Sequence, residues 1–326
     1  MKILITGGAG FIGSHIAQAL VERGDEVVIV DNLTAGKKEN LPRGARFYRA
    51  DIGNSLALYR IFRKEKPEAV FHLAARISVR ESKLRPFLYA KTDVLGSMRL
   101  IEIAKRYGVK KFMYASTGGV MYGETENLPV TETALPEPSS PYAMGKLFVE
   151  QYVLASGMHP VVLRYSNVYG PRQNPRNDAG VIAIFSEKML ANEQPVIYNA
   201  GETTRDYIFI ADVVTANIRA LNDDQVSGVY NIGTGMETSV NQIFSLLSLQ
   251  FDVTADPHYA EMPVEETGRS ALSSEKFQSV SGWRPEVSLE DGIAQTALWF
   301  KQTQKDTPQK IRMRFPRFLY RLASFI

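Results

Sequence analysis

Apolar and polar positions along the chain switch repeatedly between two periods. Ile3, Leu4 and Ile5 form a short unbroken apolar run, the pattern of a strand covered on both faces, and it stops at Thr6. Glycines follow, and from Ile16 to Val21 the apolar residues recur at helical spacing until Gly24 ends the helix. Glu26 to Val30 reads as a second buried strand closing on Asp31, and after a polar, turn-rich stretch from Leu33 to Arg43 a short strand spans Arg46 to Arg49. Leu56 to Lys64 is helical and is stopped by Pro67; Ala69 to Ala75 is another buried strand with a small-residue end. Tyr89 to Tyr107 is predicted as one long helix with Gly108 past its end, and Lys111 to Ser116 as the next strand. A proline-rich polar loop, Asn127 to Pro141, leads to an amphipathic helix from Tyr142 to Val153 and a strand from Val161 to Arg164. This alternation predicts an α/β fold, a doubly wound parallel sheet whose reactive groups lie at the carboxyl ends of its strands.

From Gln173 to Gly180 the composition shifts to Asn, Pro, Arg and Asp, which marks a boundary. Val181 to Leu190 is helical, Pro195 to Tyr198 a short strand, and Gly201 to Tyr207 a polar crossing segment. Val229 to Gly235 reads as a strand returning to the main sheet, and the remainder through Ile293 as helix and loop. The expected division is a nucleotide-binding domain over 1–172 with returning segments near 206–235. A smaller α/β cap takes 173–205 and 236–300, and a tail takes 301–326.

The glycines fall at Gly7, Gly10 and Gly13 between a strand and a helix. That spacing allows a tight turn, then backbone approach to a pyrophosphate, then close packing of helix on sheet, the logic of a Rossmann-type dinucleotide site. Asp31, ending the next strand, is placed to accept hydrogen bonds from the adenosine ribose. Its charge repels a 2′-phosphate and Asn32 and Leu33 follow it, so NAD is expected over NADP, although Lys37 and Lys38 lie nearby. Asp51 and Ile52 are placed to meet the adenine, and the small residues closing the fourth strand, Ala74 and Ala75, leave room for a cofactor. His72 lies inside that apolar strand and reads as a satisfied core residue.

Composition narrows the picture further. The 326 residues suffice for one large core or about two domains, and a net charge of +3 is too small to point to nucleic acid. There is no cysteine, so disulfides, thiolate metal sites and a cysteine nucleophile are excluded, and no metal is expected. The first residues enter a core strand directly rather than a signal peptide, and no run of eighteen apolar residues exists; a soluble cytoplasmic enzyme is expected.

Tyr142 and Lys146, four apart on a helix, project from one face. A nearby ammonium lowers a phenol's pKa, so Tyr142 is expected to act as a base near neutral pH. Thr117, at a strand end, offers a hydroxyl to the same substrate oxygen. The three together can take a proton from an alcohol while a dinucleotide takes the hydride.

Thr6-Gly-Gly-Ala-Gly-Phe-Ile-Gly13, Tyr142-Ala-Met-Gly-Lys146 and Arg205-Asp-Tyr207 together resemble the extended short-chain dehydrogenase/reductases, and among them the nucleotide-sugar 4-epimerases of the UDP-glucose epimerase type, over about residues 1 to 300. The resemblance implies a tightly held NAD, oxidation of the sugar at carbon 4, rotation of the 4-keto sugar and return of the hydride to the other face. It implies Tyr142 as base, Thr117 as its hydroxyl partner and Lys146 on the nicotinamide ribose. It adds Phe11, Ile12, Asn32, Leu73, Ser116 and Tyr165 to the cofactor contacts. For the substrate it implies Ser78, Thr117, Tyr142, Asn167, Val196, Tyr198, Arg205 and Ser270. Related dehydratases and decarboxylases carry an acid just after this Thr, whereas here Gly118, Gly119 and Val120 follow, which suits epimerisation.

Against the family pattern, Asp93 stands where many relatives have Asn, and Gly145 replaces a Ser or Thr. The stretch Glu261 to Gly268 lacks the basic residue that clamps a diphosphate, a role open to Arg205 or Arg269. A small Ser270 at the gating position suits N-acetylhexosamines as well as UDP-glucose and UDP-galactose. The alternatives are a nucleotide-sugar 4-reductase, another short-chain dehydrogenase, or a non-catalytic NAD-binding sensor. A nucleotide sugar and a second copy of the chain are the expected partners, with no nucleic acid. The basic, aromatic tail from Lys310 to Ile326 reads either as packed on its own domain or a partner subunit, or as a weak contact with an anionic membrane surface.

Overall fold

The computed structural model describes residues 1–176, 180–254, 256–261 and 268–305. The tail from 310 onward and most of the stretch 261–268 therefore lie outside the described residues. In chain order the first half runs β1 Lys2–Thr6, α1 Phe11–Glu22, β2 Glu26–Asp31, β3 Arg46–Arg49, α2 Ser55–Glu65, β4 Ala69–His72, α3 Val79–Leu84, α4 Pro86–Tyr89, α5 Gly96–Arg106, β5 Lys111–Thr117, α6 Pro141–Leu154 and β6 His159–Tyr165. The second half runs β7 Asn167–Tyr169, α7 Val181–Leu190, β8 Val196–Tyr198, β9 Thr204–Arg205, β10 Tyr207–Phe209, α8 Ile210–Asn222, β11 Gly228–Ile232, β12 Thr238–Ser239, α9 Val240–Phe251, β13 His258–Ala260, α10 Glu275–Ser281 and α11 Leu289–Lys305.

Among the described residues, seven strands form one parallel sheet in the order β11-β6-β5-β4-β1-β2-β3, the Rossmann-type arrangement. The chain starts at β1, runs outward to β3, then crosses back to β4 on the other side of β1. This reversal opens a crevice at the carboxyl ends of β1 and β4, where a ligand binds in such sheets.

The unbroken apolar runs follow from burial on both sheet faces. Ile3, Ile5, Val27, Ile29 and Phe71 join one core with Ile16 and Leu20 of α1 and Val213 of α8. The residues between them, Leu4, Val28, Val30 and Val70, join the other with Leu58, Leu100 and Val149. Each such side chain contributes roughly 1.5–3 kcal/mol when fully buried. His72 is buried as expected: Nδ1 meets Thr6 Oγ1 and Nε2 meets Ser97 Oγ, both at 2.7 Å. Burial, and then the charge of Lys146, push it down to about 3.

The long helix expected over 89–107 differs in its first half. Helical structure begins earlier, at Val79, breaks before Pro86, and widens into a π-helical turn over Ala90–Leu95 before α5. Pro86 at the first position of α4 accounts for the break, since proline lacks the N–H that would continue α3. The polar crossing segment is also more ordered than its composition implies, with β9 pairing β12 and β10 pairing β7. Helices α7, α9 and α11 pack on one another beside the main sheet, and β8 pairs β13. Strand β11 is an edge of the main sheet and α8 packs on α1.

Candidate active site

The turn after β1 is built so that only glycine fits. Gly7 has φ +72°, and a Cβ there would lie 2.7 Å from the Ala74 nitrogen, just beyond β4. A Cβ on Gly13 would lie 2.3 Å from the Gly7 carbonyl oxygen, whereas one on Gly10 would meet only that oxygen, at 3.2 Å. Gly10 caps α1 with no side-chain hydrogen bond, so the amides of Phe11 and Ile12 in the first turn have no cap of their own. Asp31 is buried at the end of β2 and accepts from the Ala9 and Leu33 amides at 3.0 and 2.8 Å, which fixes the carboxylate beside the turn. Asn32 donates to Asp51 at 2.7 Å, tying the ends of β2 and β3 together, and Ile52 is buried beneath α5. Open helix amides, a sealed glycine turn and an acid at the neighbouring strand end are a donor and acceptor set that fits a dinucleotide.

At the carboxyl end of β5, Thr117 hydrogen-bonds Tyr142 at the start of α6. Ser140 caps that helix by accepting from the Ala143 amide, which fixes where Tyr142 leaves the first turn. One turn on, the Lys146 ammonium donates to the Ala115 carbonyl at 2.8 Å and sits 4.9 Å from the Tyr114 ring centre and 5.9 Å from that of Tyr142. The three residues picked out of the sequence are thus one cluster. Its electrostatics differ from the expectation that Lys146 depresses the Tyr142 phenol. Burial, and then the carboxylate of Asp93, hold Tyr142 well above the ordinary phenol range, with the Thr117 hydrogen bond opposing. Burial lowers Lys146 to about 8 against the opposing pull of Asp93 and Glu150.

Behind this cluster lies a buried polar network that sequence reading missed. Glu150, one further turn along α6, accepts from Arg164 through Nε at 3.0 Å and Nη2 at 2.6 Å, and from Ser116 Oγ. Arg164 Nη1 donates to the Tyr122 hydroxyl, which donates to Asn231, both at 2.8 Å. The hydroxyl of Ser116 is therefore committed to Glu150. Tyr165, at the end of β6, donates to Asn217 at 2.9 Å. The signal for Glu150 was present as an acid four residues after Lys146 on the same helical face; nothing local marked Arg164 as its partner.

On the cap side, Asp206 is buried and accepts from the Thr234, Gly235 and Leu272 amides, joining β9–β10 to the loop after β11. Burial raises its pKa against those bonds. Asn167 opens β7, with its side-chain oxygen 3.2 Å from where a Gly119 Cβ would stand. Arg205 donates to the Thr204 and Gly268 carbonyls, while Arg269 is engaged with both oxygens of Glu237 at 2.8 and 2.6 Å. Ser270 is buried. Ser78 caps α3, accepting from the Glu81 amide at 2.8 Å. Val196 and Tyr198 stand on β8, outside the sheet that carries Thr117.

Residues 3–233 match the model of the NAD dependent epimerase/dehydratase family. The chain is 38% identical over 310 residues to a UDP-glucose 4-epimerase of Mycolicibacterium smegmatis, covering 92% of this chain and 99% of the relative. It is similar to the crystal structure of a UDP-glucose 4-epimerase with UDP-glucose from Thermotoga maritima, at 46% identity and TM-score 0.91 over 93% of this chain and 100% of that one. A Thermus thermophilus UDP-glucose 4-epimerase in complex with NAD matches at 39% identity and TM-score 0.87 over 92% and 99% of the two chains. With the glycine turn, the strand-end acid and the Thr117–Tyr142–Lys146 cluster in one crevice, the chain belongs to the NAD-dependent epimerase/dehydratase family.

Proposed function

We propose that the protein is an NAD-dependent nucleotide-sugar 4-epimerase acting on UDP-glucose/UDP-galactose or the corresponding N-acetylhexosamines. The carrying observation is the Thr117–Tyr142–Lys146 cluster at the carboxyl end of β5, followed by Gly118, Gly119 and Val120 rather than an acid. A Cβ on Gly118 would lie 2.2 Å from Leu272 Cδ1, so Leu272 fills the space where a dehydratase-like side chain would stand.

Bound NAD would supply an acceptor and donor of hydride for carbon 4 of the sugar. Gly7, Gly10, Gly13, Phe11 and Ile12 would hold its pyrophosphate, Asp31 the adenosine ribose, and Asp51 and Ile52 would flank the adenine. Leu73, Ala74, Ala75, Ser116, Tyr165 and Lys146 would line the nicotinamide half. Tyr142 takes the proton of the 4-hydroxyl and gives it back, while Thr117 shares the same oxygen; the first role needs the phenolate and the second the phenol, and burial and Asp93 favour the phenol. Asn167, Ser78, Val196, Tyr198 and Ser270 would contact the sugar nucleotide. Arg205 and Arg269 are the candidates for the diphosphate; Arg205 meets the Thr204 and Gly268 carbonyls, and Arg269 would have to leave Glu237 to reach it.

The exposed face of α6 carries Met144 and Phe148, 54% and 48% accessible, with Tyr152 stacked on Phe148. Such an apolar stripe supports a homodimer through this helix. No helix among the described residues is long and apolar enough to cross a membrane, and a cytoplasmic site of action fits a nucleotide-sugar substrate. The test is direct: the purified protein is assayed for bound NAD without added cofactor, then for interconversion of the UDP-hexoses. Retained NAD with turnover supports the proposal; consumption of free NADPH with a reduced sugar product would favour a 4-reductase, and no turnover of any nucleotide sugar would favour a binding protein.

A further inference from the structure

Two departures from the family pattern, Asp93 and Gly145, are neighbours in space. Asp93 lies on the π-helical turn 90–95, and that turn packs against α6. A Cβ on Gly145 would stand 3.3 Å from Val94 Cγ2, so the small residue before Lys146 lets α6 close on the turn. π-turns recur at functional sites because the wider turn re-aims side chains. Here it buries a carboxylate. Asp93 Oδ1 accepts from the Arg76 amide at 3.0 Å, and Oδ2 has no hydrogen-bond partner among the described residues. A buried carboxylate oxygen without a donor is costly unless positive charge stands near. The groups whose charge Asp93 feels or perturbs are Arg76 beyond β4, Glu81 on α3, Tyr89 on α4, Tyr114 on β5, and Tyr142 and Lys146 on α6. Glu81 in turn accepts from Arg76 and from the Tyr89 hydroxyl.

We propose that Asp93 is a positioning residue for the Tyr142–Lys146 pair: the π-turn seats its buried, half-partnered carboxylate against α6, and its negative charge sets the pH window in which the pair works. This rests on the roles given above to Tyr142 and Lys146. An asparagine at 93 can accept the same Arg76 N–H through its carbonyl oxygen; it removes the charge and puts an NH2 donor where Oδ2 stands. The asparagine form gives the Arg76 bond and an amide donor but no field; the aspartate form acts on both α6 groups in the same direction.

The experiment compares full-length wild type with Asp93→Asn. Lys146 carbamylation by cyanate, a small reagent that attacks the unprotonated amine, is followed by peptide mass spectrometry from pH 6 to 10, and kcat and KM for UDP-hexose interconversion are measured over the same range. The expected result is that both the carbamylation onset and the kcat profile move to lower pH by about one unit, the size of a neighbouring-charge effect. KM should change less than about twofold, because the charge acts on the proton-transfer pair rather than on substrate binding. An unchanged carbamylation profile overturns the proposal. A shifted carbamylation profile in a protein that turns over no nucleotide sugar leaves the charge effect standing and removes the epimerase reading instead. Asp93→Ser, which also offers Arg76 an acceptor without a charge, repeats the comparison if the asparagine variant does not fold.

Discussion

Replacing Glu150 with alanine removes the acid that pairs with Arg164 in the network behind Ser116. The two side chains are 0% and 5% accessible, and the pair is bidentate. Glu150 holds the Arg164 pKa above its ordinary value against burial, and without Glu150 an arginine still stays protonated at neutral pH, so the change leaves a buried charge unpaired. An uncompensated buried charge costs about 3–5 kcal/mol. At about 2 °C per kcal/mol for a chain of this size, Tm should fall by about 6–10 °C. Ser116 Oγ loses its acceptor as well, next to Thr117. Thermal unfolding of wild type, Glu150→Ala, Arg164→Met and the double variant Glu150→Met/Arg164→Met checks the reasoning. The double variant should recover at least half of the loss, since replacing a buried pair by apolar groups is often close to neutral. An alanine variant within about 1 kcal/mol of wild type, or a double variant no better than the single one, would refute the account of an isolated buried charge.

Tyr142→Phe should lose roughly 10² to 10⁴ in kcat while retaining NAD in the purified protein, and unchanged turnover would remove Tyr142 as the base. Gly13→Ala drives a Cβ to 2.3 Å from the Gly7 carbonyl, a backbone atom with no room to move, so bound NAD measured after purification should drop sharply; full NAD occupancy would contradict the sealed turn. His72 is held neutral with its pKa lowered to about 3. Between about 6.5 and 3 the unfolded chain takes up a proton that the native state refuses, so stability is lost as pH falls through that window, by about 1.4 kcal/mol per pH unit. Urea unfolding from pH 4 to 7 should show a correspondingly flatter slope for His72→Asn, and identical slopes would be the contrary result. For the tail beyond residue 307, co-sedimentation of full-length and truncated protein with anionic liposomes should be equal, and a loss of binding on truncation would establish the membrane reading.

What could be read from the sequence was what neighbours in sequence dictate. Ile3 to Ile5 and Val27 to Val30 read as buried strands because they are unbroken apolar runs, and Gly7 and Gly13 hold a turn geometry that a side chain would clash with. Tyr142 and Lys146 share a face by helical spacing alone, and Thr117 could be placed because it ends a strand. The electrostatic sign at Tyr142 was not available in the same way. Helical spacing brought forward only the lysine, whereas the field on the phenol is also set by burial and by Asp93, delivered across the fold by a π-turn that the helical periodicity of 89–107 concealed. The Glu150–Arg164 pair was hidden for the same reason: its members lie on a helix and a strand whose mutual register only the packed sheet defines. Strand ends and glycine turns therefore locate a site of this kind from sequence, while the proton affinities within it belong to groups that tertiary packing brings in. A tyrosine held protonated by its surroundings and a lysine held near neutrality are poised against each other, and the residue that biases both is the one where this chain departs from an asparagine.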